Sequence, residues 1–549
     1  MMESQPIDSR EPRPSASKGY PRLAARIVVA MALALVLLHF GVGLARFCRF
    51  AITCPYEIDY GEAVLLQGAV NIAQGQVVYN NYHHYPFVAA TYPPAYPALC
   101  AIGVRVFGVS FAFGRVLSIL SALAVTALIW LILRRVGTSH FAAGLAAALF
   151  LASPVVCLRM PMMRVDMVAV ALGLGGLYCV MRGGRWLIPA VALLVLAVYT
   201  RQSQVVPLAA GVLYLWWAKE RKAAALVAAS CSALILAGFL ALQAASHGWF
   251  YRHVVVANRN LWDFGYLRMV WAAGFHPWRF PFVIGAVGAA LALLGPARSE
   301  VATSSGPQRR PERLLVLYFA FAMLVSLTAG KIGSFVNYLL EPIAAASVMS
   351  GVAYHRLAEI LLARRWNIVW AAAWLIMVVP PAWVLAQPGR GPCGPYRFVN
   401  PDVITRSGVE ALPLLRRARG DVLSEDIGLL LLSGHRVLLD PHKMTSMSED
   451  GTWDQRPLLA DIARRRFVLI ITSWDPATAV PDQWGCYGRH RWTAGMAQAI
   501  KGNYRLLRRA GDLFVLAPAD AGHPSFDAAR AARVTAPAPA VEGLSNECG

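Results

Sequence analysis

The segment Tyr56-Glu57-Ile58-Asp59-Tyr60-Gly61-Glu62 sets three carboxylates directly after the first long apolar run of the chain. An aromatic and proline-rich stretch follows, Tyr82-His83-His84-Tyr85-Pro86 and then Tyr92-Pro93-Pro94. Carboxylates are costly in lipid, so a cluster of them at the exit of an apolar run marks a reacting site at the water boundary. Further polar groups recur at comparable boundaries: Arg159, Arg164 and Asp166; Arg201, Gln202 and Gln204; His247, Arg252, His253, Asn258 and Arg259; Lys331, Asn337 and Glu341. Cations and anions gathered at one boundary suit a substrate that carries a phosphate.

Each of these residues also has a structural reading. Arg164 and Asp166 can be a salt-bridged pair that steadies a helix start, and Arg201 can snorkel to lipid headgroups. Lys331 lies between Gly330 and Gly333, so its backbone is expected to be irregular, and a lysine at such a helix mouth reads as functional. Glu341 falls about one turn beyond Asn337 on the same helix face and needs a partner whatever its role. His83 and His84, with Glu62, are the metal-ligand candidates, a weak set because adjacent side chains point in different directions in regular structure. Tyr82 and Tyr92 are further site candidates, though Tyr92-Pro93-Pro94 is equally a rigid turn.

The elements that must position these groups are apolar helices. Of 549 residues, 57% are hydrophobic and 15% charged, against about 25% charged in soluble domains. The apolar residues cluster in runs such as Ile27 to Leu38, Leu117 to Leu133, Ala223 to Ala241 and Ile368 to Val379. With their flanks, such runs reach the roughly 20 residues that cross a bilayer. The chain therefore reads as a polytopic α-helical membrane protein with about eleven transmembrane helices. Their cores lie near 24–45, 112–133, 140–157, 165–181, 186–199, 203–218, 222–245, 278–295, 313–330, 335–353 and 367–387. The first is read as a retained helix, because no small-residue cleavage site follows it and further spans do.

The net charge of +21 resides largely in short basic clusters between spans: Arg134-Arg135, Arg182 with Arg185, Lys219 to Lys222, Arg309 to Arg313, and Arg364-Arg365. With the N-terminus inside, alternation places every cluster on the cytoplasmic side, as orientation charge requires. No nucleic-acid-binding module accompanies the charge, so nucleic acid is not an expected partner. The same alternation puts the C-terminal region outside, in a multi-pass protein of the cell membrane surrounded by lipid.

The expected organisation is a disordered cytoplasmic tail (1–22), a transmembrane region (23–387) with a long external loop (46–111), an extracytoplasmic α/β domain (388–518) and a flexible tail (519–549). Within the α/β domain, Val437 to Leu439 and Phe467 to Ile471 read as buried strands, and Leu412 to Arg419 and Pro457 to Arg466 as helices. Of the nine cysteines, Cys100, Cys157, Cys179 and Cys231 read as packing residues. Cys48 with Cys54, and Cys393 with Cys486, are possible disulfides on weak spacing. No zinc-type cysteine spacing is present.

These residues, in this order and topology, resemble the GT-C-type glycosyltransferases, a superfamily that includes protein mannosyltransferases and lipid A aminoarabinose transferases. The resemblance rests on the acidic first loop Asp59-Tyr60-Gly61-Glu62, on Gly75-Gln76-Val77-Val78-Tyr79 and the Pro-Pro-Ala-Tyr-Pro approach to the next helix, and on Arg164-Val165-Asp166. Gly330-Lys331-Ile332-Gly333 with Asn337-Tyr338-Leu339-Leu340-Glu341, and the external C-terminal domain, fit the same pattern. It covers most of the chain and is specific for the fold rather than for the sugar. It implies a polyprenyl-phosphate sugar donor, an extracytoplasmic acceptor (lipid, polysaccharide or protein) and inversion at the anomeric carbon. Asp59 would be the general base on an acceptor hydroxyl. Glu62 would orient the acceptor or help hold a divalent cation, and metal dependence stays open. Arg164, Arg201 and Lys331 would bind the donor phosphate, which leaves without a proton donor.

The rival class is a transporter or flippase of lipid-linked sugars, which commonly carries an internal repeat of its helical pattern; none is visible here. A third is a non-catalytic scaffold whose external domain binds a wall polymer. The topology is tested directly by reporter fusions at residues 59 and 331, which are expected to report the same, non-cytoplasmic face; opposite faces would overturn the assignment.

Overall fold

The structure, a computed structural model, describes residues 20–275, 278–294, 310–363, 401–482 and 485–519. It is mostly helical, with a small sheet near the C-terminus. Helix α1 (Tyr20–Thr53) leads into the loop of carboxylates, which is followed by two shorter helices, α2 (Glu62–Ala73) and α3 (Ala95–Phe107). Then come α4 (Ala112–Arg135), α5 (His140–Ala152), α6 (Pro154–Arg159), α7 (Val165–Arg182), α8 (Leu187–Thr200), α9 (Val206–Trp217) and α10 (Arg221–Ala245). Helices α11 (Trp249–Val254), α12 (Phe264–Phe275), α13 (Arg279–Leu294), α14 (Pro311–Ser326) and α15 (Leu340–Ala363) complete the apolar region.

Among the described residues, five helical stretches are long and apolar enough to cross a bilayer: Ala112–Arg135, Val165–Arg182, Arg221–Ala245, Pro311–Gly330 and Val336–Ile360. A sixth is added if α12 and α13 form one broken span. The expected count of about eleven is therefore not reproduced by length and composition. The segment read as one span at 140–157 is two helices, because Pro154 has no N–H to continue the ladder of α5 and instead starts α6. The segments expected near 186–199 and 203–218 are helices of 14 and 12 residues. Helix α12 was not anticipated, and the segment expected at 367–387 lies outside the described residues.

One interaction fixes the carboxylate loop to this bundle. Arg115, in the first turn of α4, and Glu62, the first residue of α2, are both fully buried. The Arg115 Nε and Nη2 donate to the two Glu62 oxygens at 2.9 and 2.7 Å. Its remaining N–H groups donate to the carbonyls of Ala51, Cys54 and Tyr56 at 2.6, 2.6 and 2.7 Å, so all five donors of the guanidinium are used. Those carbonyls belong to the end of α1 and the turn beyond it. Glu62 in turn accepts from the Ile58 and Met163 amides at 2.8 and 2.7 Å. Gly61 makes the connecting turn at φ 103°, and the Arg164 guanidinium fills the place where a Cβ would stand.

The C-terminal part starts with α16 (Pro401–Arg417), β1 (Val422–Ser424), α17 (Ile427–Ser433), α18 (Pro441–Glu449) and α19 (Arg456–Ala463). It ends with β2 (Leu469–Thr472), α20 (Ala494–Asn503), β3 (Tyr504–Ala510) and β4 (Leu513–Pro518). The sheet order is β1-β2-β4-β3, parallel between β1 and β2 and antiparallel elsewhere, with Leu423 opposite Ile470 and Ile471 opposite Val515. The helices expected at 412–419 and 457–466 correspond to α16 and α19, and Leu469 to Ile471 are strand. Val437 to Leu439 are not. They run extended but bond to the first loop instead of the sheet: the Phe87 amide donates to Leu438 O at 2.8 Å and the Asp440 amide to Phe87 O at 2.9 Å. Leu65, Leu66 and Ala69 of α2 share one apolar core with Leu414, Leu415, Leu429 and Leu430.

Cys48 and Cys54 are free thiols, with Cys54 Sγ 3.8 Å from Tyr56 O, so the first expected disulfide is absent. Cys486 is also a free thiol, and Cys393 lies outside the described residues.

Removing one partner of a buried ion pair costs roughly 3–5 kcal/mol, because the other charge is left uncompensated. Arg115→Met is therefore expected to lower the thermal unfolding temperature in detergent sharply, and Arg115→Met with Glu62→Gln to recover part of the loss. An unchanged melting curve for the single variant would remove the anchoring role.

Candidate functional site

A cavity of 780 Å³ lies where the carboxylate loop, the turns at the ends of α6 and α8, the Asn258–Tyr266 segment, the Lys331 loop and the C-terminal region meet. Seven Lys or Arg side chains line it (Arg159, Arg164, Arg201, Lys331, Lys443, Arg489 and Arg491) against two carboxylates, Asp59 and Asp440.

On one wall the charges alternate. Arg159 Nη1 lies 2.6 Å and Arg164 Nη1 3.5 Å from Asp59 Oδ2. Arg164 Nε reaches Asp166 Oδ2 at 3.7 Å, and Arg201 Nη1 reaches Asp166 Oδ1 at 2.8 Å. Asn337 Nδ2 donates to that same Asp166 oxygen at 3.1 Å, and Arg201 stacks 4.7 Å from the Tyr338 ring centroid. Asp166 is fully buried beneath the wall, whereas the Asp59 side chain is 25% exposed. Both cations on Asp59 sit on Oδ2, and among the described residues Oδ1 has no protein partner. The ion pair read for Arg164 and Asp166 is present, and it is part of this wall.

The opposite wall comes from the C-terminal region. Asp440 caps α18 by accepting from the Lys443 amide, with Pro441 at the first helical position. The Tyr60 hydroxyl donates to Asp440 Oδ1 at 2.6 Å and accepts from the His442 amide at 3.1 Å, while Arg491 stacks 4.4 Å from the Tyr60 ring. Burial, reinforced by the Asp440 charge, holds the Tyr60 phenol well above its ordinary pKa, so it stays a donor. Arg491 is paired with the buried Glu425 at 3.2 Å. Burial lowers His442 to about 4, and its Nδ1 donates to His490 O at 3.1 Å, which leaves the Nε2 lone pair available. Burial also lowers Lys443 to about 8, partly offset by Asp440; its Nζ donates to Asn260 Oδ1 at 2.9 Å. Asn260 Nδ2 donates to Ile332 O at 2.6 Å and so ties Lys443 to the loop that carries Lys331. Among the described residues, Lys331, Lys443 and Arg489 make no ion pair, so the surplus positive charge of the cavity collects at this junction.

Of the residues singled out in the sequence, the cavity brings together Asp59, Arg159, Arg164, Arg201, Gln202, Asn258, Lys331, Asn337 and Tyr92. Gln202 and Asn258 both donate to Thr91 O, at 3.1 and 2.9 Å, and Tyr79 donates to Tyr92 O at 3.0 Å; these bonds fix Tyr92 at the rim. Five candidates stand elsewhere. Glu62 lies behind the wall, its oxygens taken by Arg115 and amides, so it supports Asp59 and does not face the cavity. Glu341 is buried below it and accepts from Gln204 at 3.2 Å. Tyr82 is packed against Trp249 and His253. His83 and His84 are exposed, and with Glu62 they form no ligand cluster. Among the described residues the one group of metal-ligand type is Glu449, Cys486 and His490.

The sequence reading missed Tyr60, Asp440, His442, Lys443, Arg489 and Arg491. One signal was present: Asp440-Pro441 is a helix-start dipeptide, which would have set His442 and Lys443 on a first turn.

A family profile described as dolichyl-phosphate-mannose-protein mannosyltransferase matches residues 91–249. The fold is similar to the crystal structure of ArnT from Cupriavidus metallidurans in the apo state, with a TM-score of 0.55 at 13% identity over 90% of this chain and 98% of that one. For the same protein bound to undecaprenyl phosphate the TM-score is 0.55 at 15% identity, over 89% and 97% of the two chains. An Archaeoglobus fulgidus oligosaccharyltransferase in complex with Zn and sulfate gives 0.53 at 13% identity, over 86% of this chain and 71% of that one. No curated protein sequence matches the chain. The resemblance to the GT-C-type glycosyltransferases is thus met by the overall fold and by the profile match over residues 91–249.

Proposed function

We propose that this protein is a membrane glycosyltransferase that moves a sugar from a polyprenyl-phosphate donor to a hydroxyl of an extracytoplasmic lipid, polysaccharide or protein acceptor, with inversion. The observation that carries this reading is Asp59: a carboxylate held from one side by Arg159 and Arg164, with its second oxygen unpartnered, at the edge of a cavity rich in cations. Such a carboxylate can take a proton from an acceptor hydroxyl as the oxygen attacks the anomeric carbon. The bond from that carbon to the phosphate oxygen then breaks, and the phosphate leaves as an anion. Its stabilisation falls to cations. Arg164, Arg201 and Lys331 are the proposed set, joined by Lys443 and Arg489. Because Arg164 and Arg201 already share Asp166 and Asp59, the larger part of the phosphate's charge is assigned to Lys331 and its neighbours. The long apolar helices supply the lipid environment in which the polyprenyl tail would remain.

Purified protein supplied with radiolabelled polyprenyl-phosphate sugars and membrane extract tests the reading. Asp59→Asn at equal expression is expected to lower transfer about 10²–10⁴-fold, the range of a general base; undiminished transfer would remove Asp59 from that role. Lys443 supplies the pH dependence. Its lowered pKa of about 8 means that it loses its charge as pH rises through that value, so the donor KM is expected to climb above pH 8. Lys443→Arg is expected to abolish that climb, and Lys443→Met to raise the donor KM roughly ten- to hundredfold at neutral pH, the worth of a charged hydrogen bond. A wild-type KM that is flat to pH 10 would exclude Lys443 from donor binding.

A further inference from the structure

Behind the C-terminal wall of the cavity, Glu449 at the end of α18 meets Cys486 and His490 of the loop before α20. Cys486 Sγ lies 2.9 Å from Glu449 Oε1, and His490 Nε2 lies 2.8 Å from Glu449 Oε2. All three ligand atoms fall within 4.8 Å of one another. Ligands on one tetrahedral zinc at its usual bond lengths stand roughly 3.3–3.8 Å apart, so side-chain adjustments on the order of 1 Å, opening the two hydrogen-bonded pairs and drawing in the wider one, would close the set. Cys486 and His490 are buried, at 2% and 9% exposure, while Glu449 opens toward solvent. A neighbour orients the two buried ligands: Asp482 Oδ1 accepts from the Cys486 amide at 2.9 Å, and Asp482 Oδ2 faces His490 Nδ1 at 3.8 Å. A carboxylate behind the second ring nitrogen is the usual outer support of a metal-bound histidine.

We infer that Glu449, Cys486 and His490 form a zinc site that clips α18 to the Cys486–Arg491 loop. One thiolate, one imidazole and one carboxylate suit zinc in preference to magnesium or calcium, with a water at the fourth position. On binding, the Cys486 thiol proton passes to solvent and the sulfur becomes a ligand. The consequence concerns the cavity. Helix α18 carries His442 and Lys443, and the loop carries Arg489 and Arg491, so the ion would fix the two halves of one cationic wall. The site stands whether or not the transfer reaction proposed above is correct.

The test is the metal content of the full-length protein, purified in detergent through a histidine-free tag, loaded with zinc and dialysed. The expected result is about one zinc per chain. This should fall at least about tenfold in Cys486→Ser, His490→Ala and Glu449→Gln, and be retained in His83→Ala with His84→Ala. Chelation should lower the melting temperature of the wild type, and zinc alone should restore it; the Cys486→Ser variant should respond to neither. Wild-type protein that holds less than about one zinc per ten chains, equal zinc in the ligand variants, or Cys486 recovered in a disulfide would each overturn the proposal.

Discussion

A guanidinium with every donor used is the constraint on which the rest of this structure depends. Arg115 is sealed among apolar helices, where an unsatisfied charge would be prohibitive. It therefore gathers the end of α1, the turn after it and the first residue of α2 around itself. The loop between those elements cannot wander, because two of its carbonyls and one at the end of α1 are bound to one side chain. Asp59 stands on that loop three residues before Glu62. The carboxylate that the sequence marks as a reagent is thus held in place by its neighbour, which marks itself in the same way and serves as ballast.

The second organising feature is how the cavity divides its charges. The wall made by Asp59, Arg159, Arg164, Asp166 and Arg201 is nearly balanced, each cation resting on a carboxylate. Lys331, Lys443 and Arg489 have no such rest among the described residues. A preorganised cation without a counter-ion suits an anion that arrives and departs, whereas a paired one is better suited to orienting what is already there. Asn260, bonded to both Lys443 and Ile332, joins the two sides of this unpaired group.

Much of this could be read from the chain itself. Long apolar runs announced a membrane protein, and isolated polar groups at their ends pointed to the residues that meet in the cavity. What could not be read depends on contacts distant in sequence. Asp59 and Glu62 are the same kind of residue three positions apart, and only the location of Arg115, 53 residues beyond Glu62, sends one inward and leaves the other at the cavity. Val437 to Leu439 have the composition of a strand, and they do run extended; their partner is Phe87, more than three hundred residues earlier. The break at Pro154 was legible from proline chemistry alone, and the continuous apolar pattern around it masked the signal. Tyr60 and Asp440 carry no local pattern that would announce a bond 380 residues apart.

That bond, together with the short backbone ladder between Phe87 and Leu439, has an implication for how such a molecule can diversify. The half of the cavity that carries the unpaired lysine and arginine is joined to the helical body by those contacts, by Lys443 on Asn260 and by the apolar core that α2 shares with α16 and α17. A chimera that kept this junction whole (the Leu438–Asp440 register, Asp440 for the Tyr60 hydroxyl, Lys443 for Asn260 and the shared apolar core) could exchange the segments beyond it without disturbing the cavity.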